Sequence, residues 1–353
     1  MGDRTISRRS MLGSAAGIAG ALAATSAAVS QEHAAGVSRE GSQRLTVERL
    51  KKWEALGYGM FIHYGLSTFV QVEQPTTDFP VQAYAPTELD VDQWISVARD
   101  AGMKYAMLTA KHVSGHCLWP SKFTDYSVAN STDKTDVIAK YVEACAKRGV
   151  LPGLYYCTED NHTRMGSRTR SDKGPEPAYT TSLYQTYVAS QVTELLTQYG
   201  PIAEIWIDIP GMLGRGFRTY LYERIADLQP DTIIMMNNGY PKPDGSYDVD
   251  YAWPSDIMSI ERGLPPESGH KKWWAIEGND YYLPGEVCDT IGEHWFFVDG
   301  DMPKADEALT AMRLATHAAG ANLLLDVPPD KRGRIPQYHV DALMRLQKSA
   351  GIS

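Results

Sequence analysis

Eight short β-rich runs recur between residues 58 and 327, and most of them are followed by a segment with helical periodicity. Strands joined through helices lie parallel, because each helix returns the chain to the starting edge of the sheet. The runs occupy 58–63, 104–112, 150–157, 202–209, 232–237, 256–261, 272–277 and 322–327. Eight such units in about 300 residues predict a single α/β domain, a (β/α)8 TIM-like barrel.

Apolar spacing predicts the helices as well, near 92–98, 138–149, 180–199, 217–228, 304–319 and 337–349. The units around the fifth and sixth strands are irregular, and their helices are poorly marked. A doubly wound open sheet also alternates strand and helix. It is disfavoured because no glycine-rich phosphate loop follows the first strand.

The first thirty residues are typical of an export signal rather than of the fold. Arg8 and Arg9 precede a weakly apolar stretch rich in Ala and Gly, which predicts a twin-arginine signal over residues 1–30. A short membrane anchor is the alternative, but the stretch is too short for a good spanning helix. We therefore expect an exported protein, periplasmic or secreted, with a polar lead segment at 31–45, the barrel domain at 46–353 and no membrane span in its mature form.

The net charge limits the classes of binding partner, and the cysteine pattern indicates the state of the thiols. The chain has 34 Lys and Arg against 43 Asp and Glu, a net charge of −9, which disfavours nucleic acid and anionic membranes. No Cys-x-x-Cys pair occurs, which argues against a zinc knuckle. Free thiols are expected at Cys117, Cys145, Cys157 and Cys288, with a Cys117–Cys157 disulfide as the weaker alternative.

Polar side chains end five consecutive strands, where the loops of a barrel carry chemistry. Asp208 is the most informative, because strand alternation puts it on the same face as Trp206. A carboxylate at the end of an apolar strand is costly unless it is paired or functional. The full set comprises His63, His112, Tyr155, Tyr156, Asp208, Asn237 and Asn238.

Several segments, in their order and spacing, resemble the α-L-fucosidases of glycoside hydrolase family 29. The resemblance extends over nearly the whole mature sequence. The segments are YGMFIHYG at 58–65, AGMKYAMLTAKH at 101–112 continuing to LWPS at 118–121, GLYY at 153–156, EIWID at 204–208, GEVCDTI at 285–291 with Trp295 behind it, and GANLLLDVPP at 320–329.

The resemblance implies a retaining α-L-fucosidase that removes terminal fucosyl residues from glycans with two carboxylates. With the export signal, the expectation is an exported enzyme, and no metal or cofactor is expected. It makes Asp208 the nucleophile. Glu286 is the best match to the acid/base, with Glu261 and Glu277 as alternatives. The residues expected to hold the sugar are His63, His112, Trp206, Trp295 and one of Tyr155 and Tyr156.

The sequence also departs from the family pattern. Val113 replaces a second His, and His116 is the nearby residue able to supply a ring nitrogen instead. Ile209 follows Asp208 where Gly is usual, and Asp326 stands where Asn is common. We also expect no β-sandwich after the barrel.

These departures leave the glycone open between L-fucose and a relative such as L-galactose, and they keep two other functions in view. One is a carbohydrate-binding relative without catalysis. The other is a metal-dependent barrel hydrolase that uses His63, His112, His116 and Asp208. The first strand has no His-x-His pair, which weighs against the metal-dependent alternative.

Overall fold

A computed structural model describes residues 40–75, 79–164, 170–171, 174–175, 181–239 and 246–351. The predicted export signal and most of the lead segment fall in residues 1–39, outside the described residues. The end of the lead segment contacts the folded domain. The Ser42 amide donates to the carbonyl of Asp280, and Arg44 pairs with buried Asp256 at 2.6 Å.

Eight parallel strands form a nearly closed barrel, which confirms the predicted fold class. In space they follow the order β5-β4-β3-β2-β1-β8-β7-β6, so neighbours in sequence are neighbours in the sheet. Backbone hydrogen bonds from Asp256 to Ile234 and from Glu261 to Gly239 link β5 to the β6 segment. The strands are β1 (Tyr58–Ile62), β2 (Tyr105–Lys111), β3 (Leu151–Cys157), β4 (Glu204–Asp208), β5 (Ile233–Met236), β6 (Met258–Glu261), β7 (Gly285–Thr290) and β8 (Asn322–Asp326).

The helices have the amphipathic faces and caps expected from their sequences. Asp136 caps the helix that follows β2 by accepting from the amide of Ala139, and Gly149 ends that helix in the left-handed conformation. The α-helices are α1 (Val47–Glu54), α2 (Leu66–Val70), α3 (Val91–Asp100), α4 (Val137–Arg148), α5 (Ser182–Gln198), α6 (Arg215–Leu228), α7 (Val249–Ala252), α8 (Asp306–Ala318) and α9 (Gln337–Ala350).

One predicted barrel strand is wrong. The run at 272–277 forms a β-hairpin outside the barrel, in which Trp273–Ile276 pairs antiparallel with Asn279–Tyr282. Its two-residue turn, Glu277-Gly278, has positive φ at both positions, which matches the twist of a tight hairpin. The seventh barrel strand is instead Gly285–Thr290, so the count of eight was correct but one member was misassigned.

Alternation along the strands separates an inner set of side chains from an outer set. Phe61, Met107 and Trp206 pack inside the barrel, whereas Met60 and Leu108 belong to the layer between strands and helices. Polar side chains enter the interior at both ends of the strands, and the carboxyl end carries the pocket described below.

The four cysteines are free and buried, which confirms the expected thiols. In the part of the chain that the structure describes, no helix is both long and apolar enough to cross a bilayer.

Candidate active site

A pocket opens at the carboxyl ends of the strands and contains seven of the residues predicted for the site: His63, His112, Tyr155, Trp206, Asp208, Glu261 and Trp295. It is also lined by Phe61, Glu73, Gln74, Asn237 and Cys288. A wider surface groove between α5 and α6 contains none of these groups.

Asp208 is the last residue of β4, and hydrogen bonds hold both of its carboxylate oxygens. The Tyr155 hydroxyl donates to Oδ2 at 2.6 Å, and Nδ2 of Asn237 donates to Oδ1 at 2.7 Å. Burial, reinforced by the Asp208 charge, raises the pKa of Tyr155 well above its usual value, so the phenol stays protonated as a donor. Two neutral donors therefore fix the direction of the carboxylate.

Asn237 also joins Asp208 to a second carboxyl group. Its Nδ2 lies 3.4 Å from Oε2 of Glu261, so Oδ1 of Asp208 and this oxygen are at most about 6 Å apart, the sum of the two hydrogen-bond distances. Ser259 Oγ and the Gly239 amide donate to the Asn237 oxygen, which turns the amide nitrogen toward both carboxyls. Burial, followed by the charge of Asp208, raises the pKa of Glu261.

Aromatic rings and two neutral imidazoles form the wall around Asp208. The His63 ring centroid lies 5.1 Å from that of Trp295 and 5.6 Å from that of His112, and His112 stacks on Tyr155. Burial lowers the pKa of both histidines to about 3, so each is neutral and offers one donor and one acceptor. Nδ1 of His112 and Nε1 of Trp206 have no hydrogen-bond partner among the described residues.

The backbone immediately after Asp208 is strained. Ile209 adopts φ 51° and ψ 45°, a left-handed conformation that is unfavourable for a β-branched residue. This conformation gives a physical reason for the glycine that the resemblance places at this position.

The structure does not bring Glu286 into the pocket. Glu286 is the second residue of β7 and accepts from the hydroxyl of Tyr105, the first residue of β2, at 2.5 Å. It contacts Glu204, the first residue of β4, and is fully buried. At a rise of about 3.3 Å per residue, Asp208 lies about 13 Å further along β4. Glu286 therefore belongs to the amino-terminal end of the barrel.

Three other predicted residues also lie away from the pocket. Glu277 is exposed in the hairpin turn and pairs with Arg215 at 2.5 Å. His116 is buried at 2.9 Å from the Ser131 hydroxyl, so it does not supply the contact that Val113 lacks.

Tyr156 faces the helices, where its hydroxyl donates to Gln191 at 2.8 Å. Its ring covers the ammonium of Lys111 at 4.5 Å, and this buried cation pairs with buried Asp160 at 2.9 Å. Tyr155, which points inward from the same strand, is thus the tyrosine of the pair that lines the pocket.

Sequence reasoning did not assign Glu73, Gln74 or Phe61 to the site, and it noted Asn237 only as a strand end. Glu73 comes from the loop after α2, where no motif marks it. Its charge nevertheless raises the pKa of His63, against the larger effect of burial. In the described part of the chain, no group of three or more His, Cys, Asp or Glu residues has the arrangement to hold a metal ion.

A (β/α)8 barrel with two adjacent carboxyl groups at the carboxyl ends of its strands is an architecture used by glycoside hydrolases. The family model described as Alpha-L-fucosidase matches residues 76–348, and the chain belongs to that family.

Individual relatives agree with this assignment. Alpha-L-fucosidase 1 of Arabidopsis thaliana is 31% identical over 309 residues, which cover 83% of this chain and 57% of the plant protein. The solved structure of alpha-L-fucosidase isoenzyme 1 from Paenibacillus thiaminolyticus is 29% identical, with a TM-score of 0.71, and the match covers 85% of this chain and 75% of that one.

The fold is also shared with AlfC from Lactobacillus casei, solved in complex with α-L-fucose, at 22% identity and a TM-score of 0.70 over 86% of this chain and 98% of that one. The chain spans little more than half the length of the plant relatives that it matches.

Proposed function

We propose that this chain is a retaining α-L-fucosidase in which Asp208 is the nucleophile and Glu261 is the acid/base. The observation that carries the proposal is the single amide of Asn237, which contacts both carboxyl groups. Retaining glycosidases hold their carboxyl groups about 5–5.5 Å apart, which is compatible with the limit of about 6 Å between these oxygens. Glu261 replaces Glu286 as the favoured acid/base because Glu261 lines the pocket.

In the first step an oxygen of Asp208 attacks the anomeric carbon, and the bond from that carbon to the leaving oxygen breaks. Glu261 gives its proton to the leaving oxygen, so the leaving group departs as a neutral alcohol. The raised pKa of Glu261 keeps it protonated for this task to a higher pH than an ordinary glutamate.

In the second step Glu261, now ionised, takes a proton from water while the water oxygen attacks the anomeric carbon. The bond to Asp208 breaks, which returns both carboxyl groups to their starting states and releases the sugar with its original configuration. Tyr155 and Asn237 hold Asp208 in line, and the neutral rings of His63, His112 and Trp206 present polar atoms to the sugar hydroxyls.

The nucleophile is tested with Asp208→Gly and an aryl α-L-fucoside. We expect loss of hydrolysis and, with added azide, recovery of turnover with a glycosyl azide product of inverted configuration. An Asp208→Gly protein with full activity would exclude this nucleophile. A parallel α-L-galactoside reaction reports which glycone the pocket accepts. Tight fucose binding without hydrolysis of any substrate by the unsubstituted protein would favour the non-catalytic alternative.

The acid/base is tested with Glu261→Gln, and the chain offers Glu286→Gln as a matched control from the opposite end of the barrel. We expect Glu261→Gln to reduce kcat/KM about 10²–10⁴-fold on a substrate with a poor leaving group, and much less on an activated aryl fucoside. The control should keep its activity on both substrates. The opposite pattern would return the role to Glu286.

We also propose that residues 1–30 direct export through the twin-arginine route, on the strength of the Arg8-Arg9 pair before an Ala- and Gly-rich stretch. Fractionation of a bacterial host that expresses the full chain is the test. Replacing both arginines with lysine should retain the protein in the cytoplasm. Unchanged export of the double variant would contradict the proposal.

A further inference from the structure

His63 lines the pocket from the end of β1, and only one of its ring nitrogens is left for a ligand there. Its Nδ1 lies 2.7 Å from Oδ1 of Asp326, the last residue of β8. The ring is enclosed by the rings of Phe61, Trp295 and Phe296, with centroids 4.4, 5.1 and 5.3 Å away. Such packing leaves the imidazole little room to rotate.

The same Asp326 oxygen accepts a second hydrogen bond, from the backbone amide of His63 at 3.2 Å. Asp326 is fully buried, and its other oxygen, Oδ2, has no partner among the described residues. A single oxygen of Asp326 therefore holds both the backbone and the ring of His63.

This geometry determines where the imidazole proton lies. Burial keeps His63 neutral, so its ring carries one N–H. Burial raises the pKa of Asp326 well above its usual value, so this carboxyl group can carry a proton. Because Oδ1 accepts from the amide of His63, any proton on Asp326 is favoured on Oδ2, and Oδ1 accepts from the ring as well. The ring proton then lies on Nδ1. Nε2 is then an acceptor, and the sugar hydroxyl that meets it has to be a donor.

We propose that Asp326 is a positioning residue that holds His63 with its proton on Nδ1, so that Nε2 accepts a hydrogen bond from one hydroxyl group of the sugar. The inference rests on the proposed function for the identity of the ligand, but the proton position is a property of the free protein. It also accounts for the asparagine that the family resemblance places here, since an asparagine supplies the same single oxygen.

Two substitutions separate the hydrogen bond from the packing. Asp326→Asn keeps an acceptor at Oδ1, whereas Asp326→Leu keeps a similar volume and removes the acceptor. In ¹⁵N-histidine NMR spectra of the ligand-free protein, with His63 assigned from a His63→Gln spectrum, we expect a protonated Nδ1 and an unprotonated Nε2. Asp326→Asn should keep that pattern, and Asp326→Leu should lose it.

A protonated Nε2 in the unsubstituted protein, or an unchanged pattern in Asp326→Leu, would overturn the inference. These spectra need no substrate, so they remain decisive if the protein fails to hydrolyse fucosides. Should Asp326→Leu fail to fold, the unsubstituted and Asp326→Asn spectra still test the proton position.

Kinetics with monodeoxy aryl α-L-fucosides provide the second readout. Removing the outer hydrogen-bond partner of a metal-binding histidine typically costs about 10–100-fold in affinity or activity. By analogy we expect kcat/KM of Asp326→Leu to fall about 10–100-fold and that of Asp326→Asn to stay within about threefold. One monodeoxy substrate should react about tenfold more slowly than the parent with the unsubstituted protein but not with Asp326→Leu. An equal loss with both proteins for every substrate would indicate a merely structural role.

Discussion

Replacing Glu286 by glutamine is expected to remove a pH-dependent cost to stability. Glu286 and Glu204 contact one another at the amino-terminal end of the barrel, where both are fully buried. Tyr105 donates to Glu286, and Nε1 of Trp53 donates to Glu204 at 2.9 Å. One oxygen of each carboxyl finds no donor among the described residues, so a proton between the two groups satisfies both.

Burial raises the pKa of Glu286 from 4.5 to about 7, although the hydrogen bonds from Tyr105 and Glu204 oppose the shift. The folded state thus binds the proton more tightly than the unfolded chain does. The stability that this residue contributes is fully present below pH 4.5 and is lost as the pH rises to about 7. At 1.36 kcal/mol per unit, the loss above pH 7 is about 3 kcal/mol.

Glutamine at position 286 can still accept from Tyr105 and contact Glu204, but it does not titrate. Between pH 5 and pH 8, the free energy of unfolding of the Glu286→Gln protein relative to the unsubstituted protein should therefore rise by about 2–3 kcal/mol. Urea denaturation followed by tryptophan fluorescence at both pH values measures it. Glu277→Gln is the control, because the exposed Glu277 has a pKa lowered by Arg215 and is ionised at both pH values. An identical difference at pH 5 and pH 8 would refute the reasoning.

Three further predictions follow from the site and its surroundings. Tyr155→Phe removes a hydrogen bond to the carboxylate of Asp208. Hydrogen bonds to charged groups typically contribute about 1.5–3 kcal/mol, so kcat on an aryl α-L-fucoside should fall about 10–100-fold. An unchanged kcat would contradict this role of Tyr155. Lys111→Met leaves Asp160 buried without its cation, so the free energy of unfolding in chemical denaturation should fall by about 3–5 kcal/mol. The control Lys104→Met, on the surface, should change that free energy by no more than about 0.5 kcal/mol. Equal effects of the two substitutions would show that the buried pair contributes little. Prolonged treatment with a chelator should leave hydrolysis unchanged, and a loss that added metal restores would revive the metal-dependent alternative.

The barrel could be predicted from sequence because its strands are short apolar runs ended by polar residues. Asp208 and His63 were placed correctly at the carboxyl ends for that reason. The hairpin shows where the approach failed, because the run at 272–277 has the composition of a buried strand. The chain turns back at Glu277 and Gly278, both of which have positive φ, and a sequence does not display dihedral angles.

The placement of Glu286 failed for a related reason. Depth inside a barrel depends on where a strand begins, and two to four residues decide whether a side chain faces the pocket or the opposite end. With 272–277 taken as the seventh strand, the segment at 285–291 was not recognised as a strand of the barrel. Once β7 begins at Gly285, Glu286 has to lie at the amino-terminal end. Glu73 could not be found at all, because its loop carries no periodic pattern.

The shared contact of Asn237 has a consequence for how the barrel tolerates motion. Asp208, Asn237 and Glu261 come from three successive strand segments, so small movements between the strands would ordinarily change the gap between the carboxyl groups. Here the gap is bridged by the two N–H bonds of one amide, whose mutual angle is covalent and nearly rigid. The distance between the carboxyl groups of Asp208 and Glu261 therefore depends on a bond angle of the Asn237 amide as well as on the packing of the strands. This distance is the quantity that differs between retaining and inverting glycosidases.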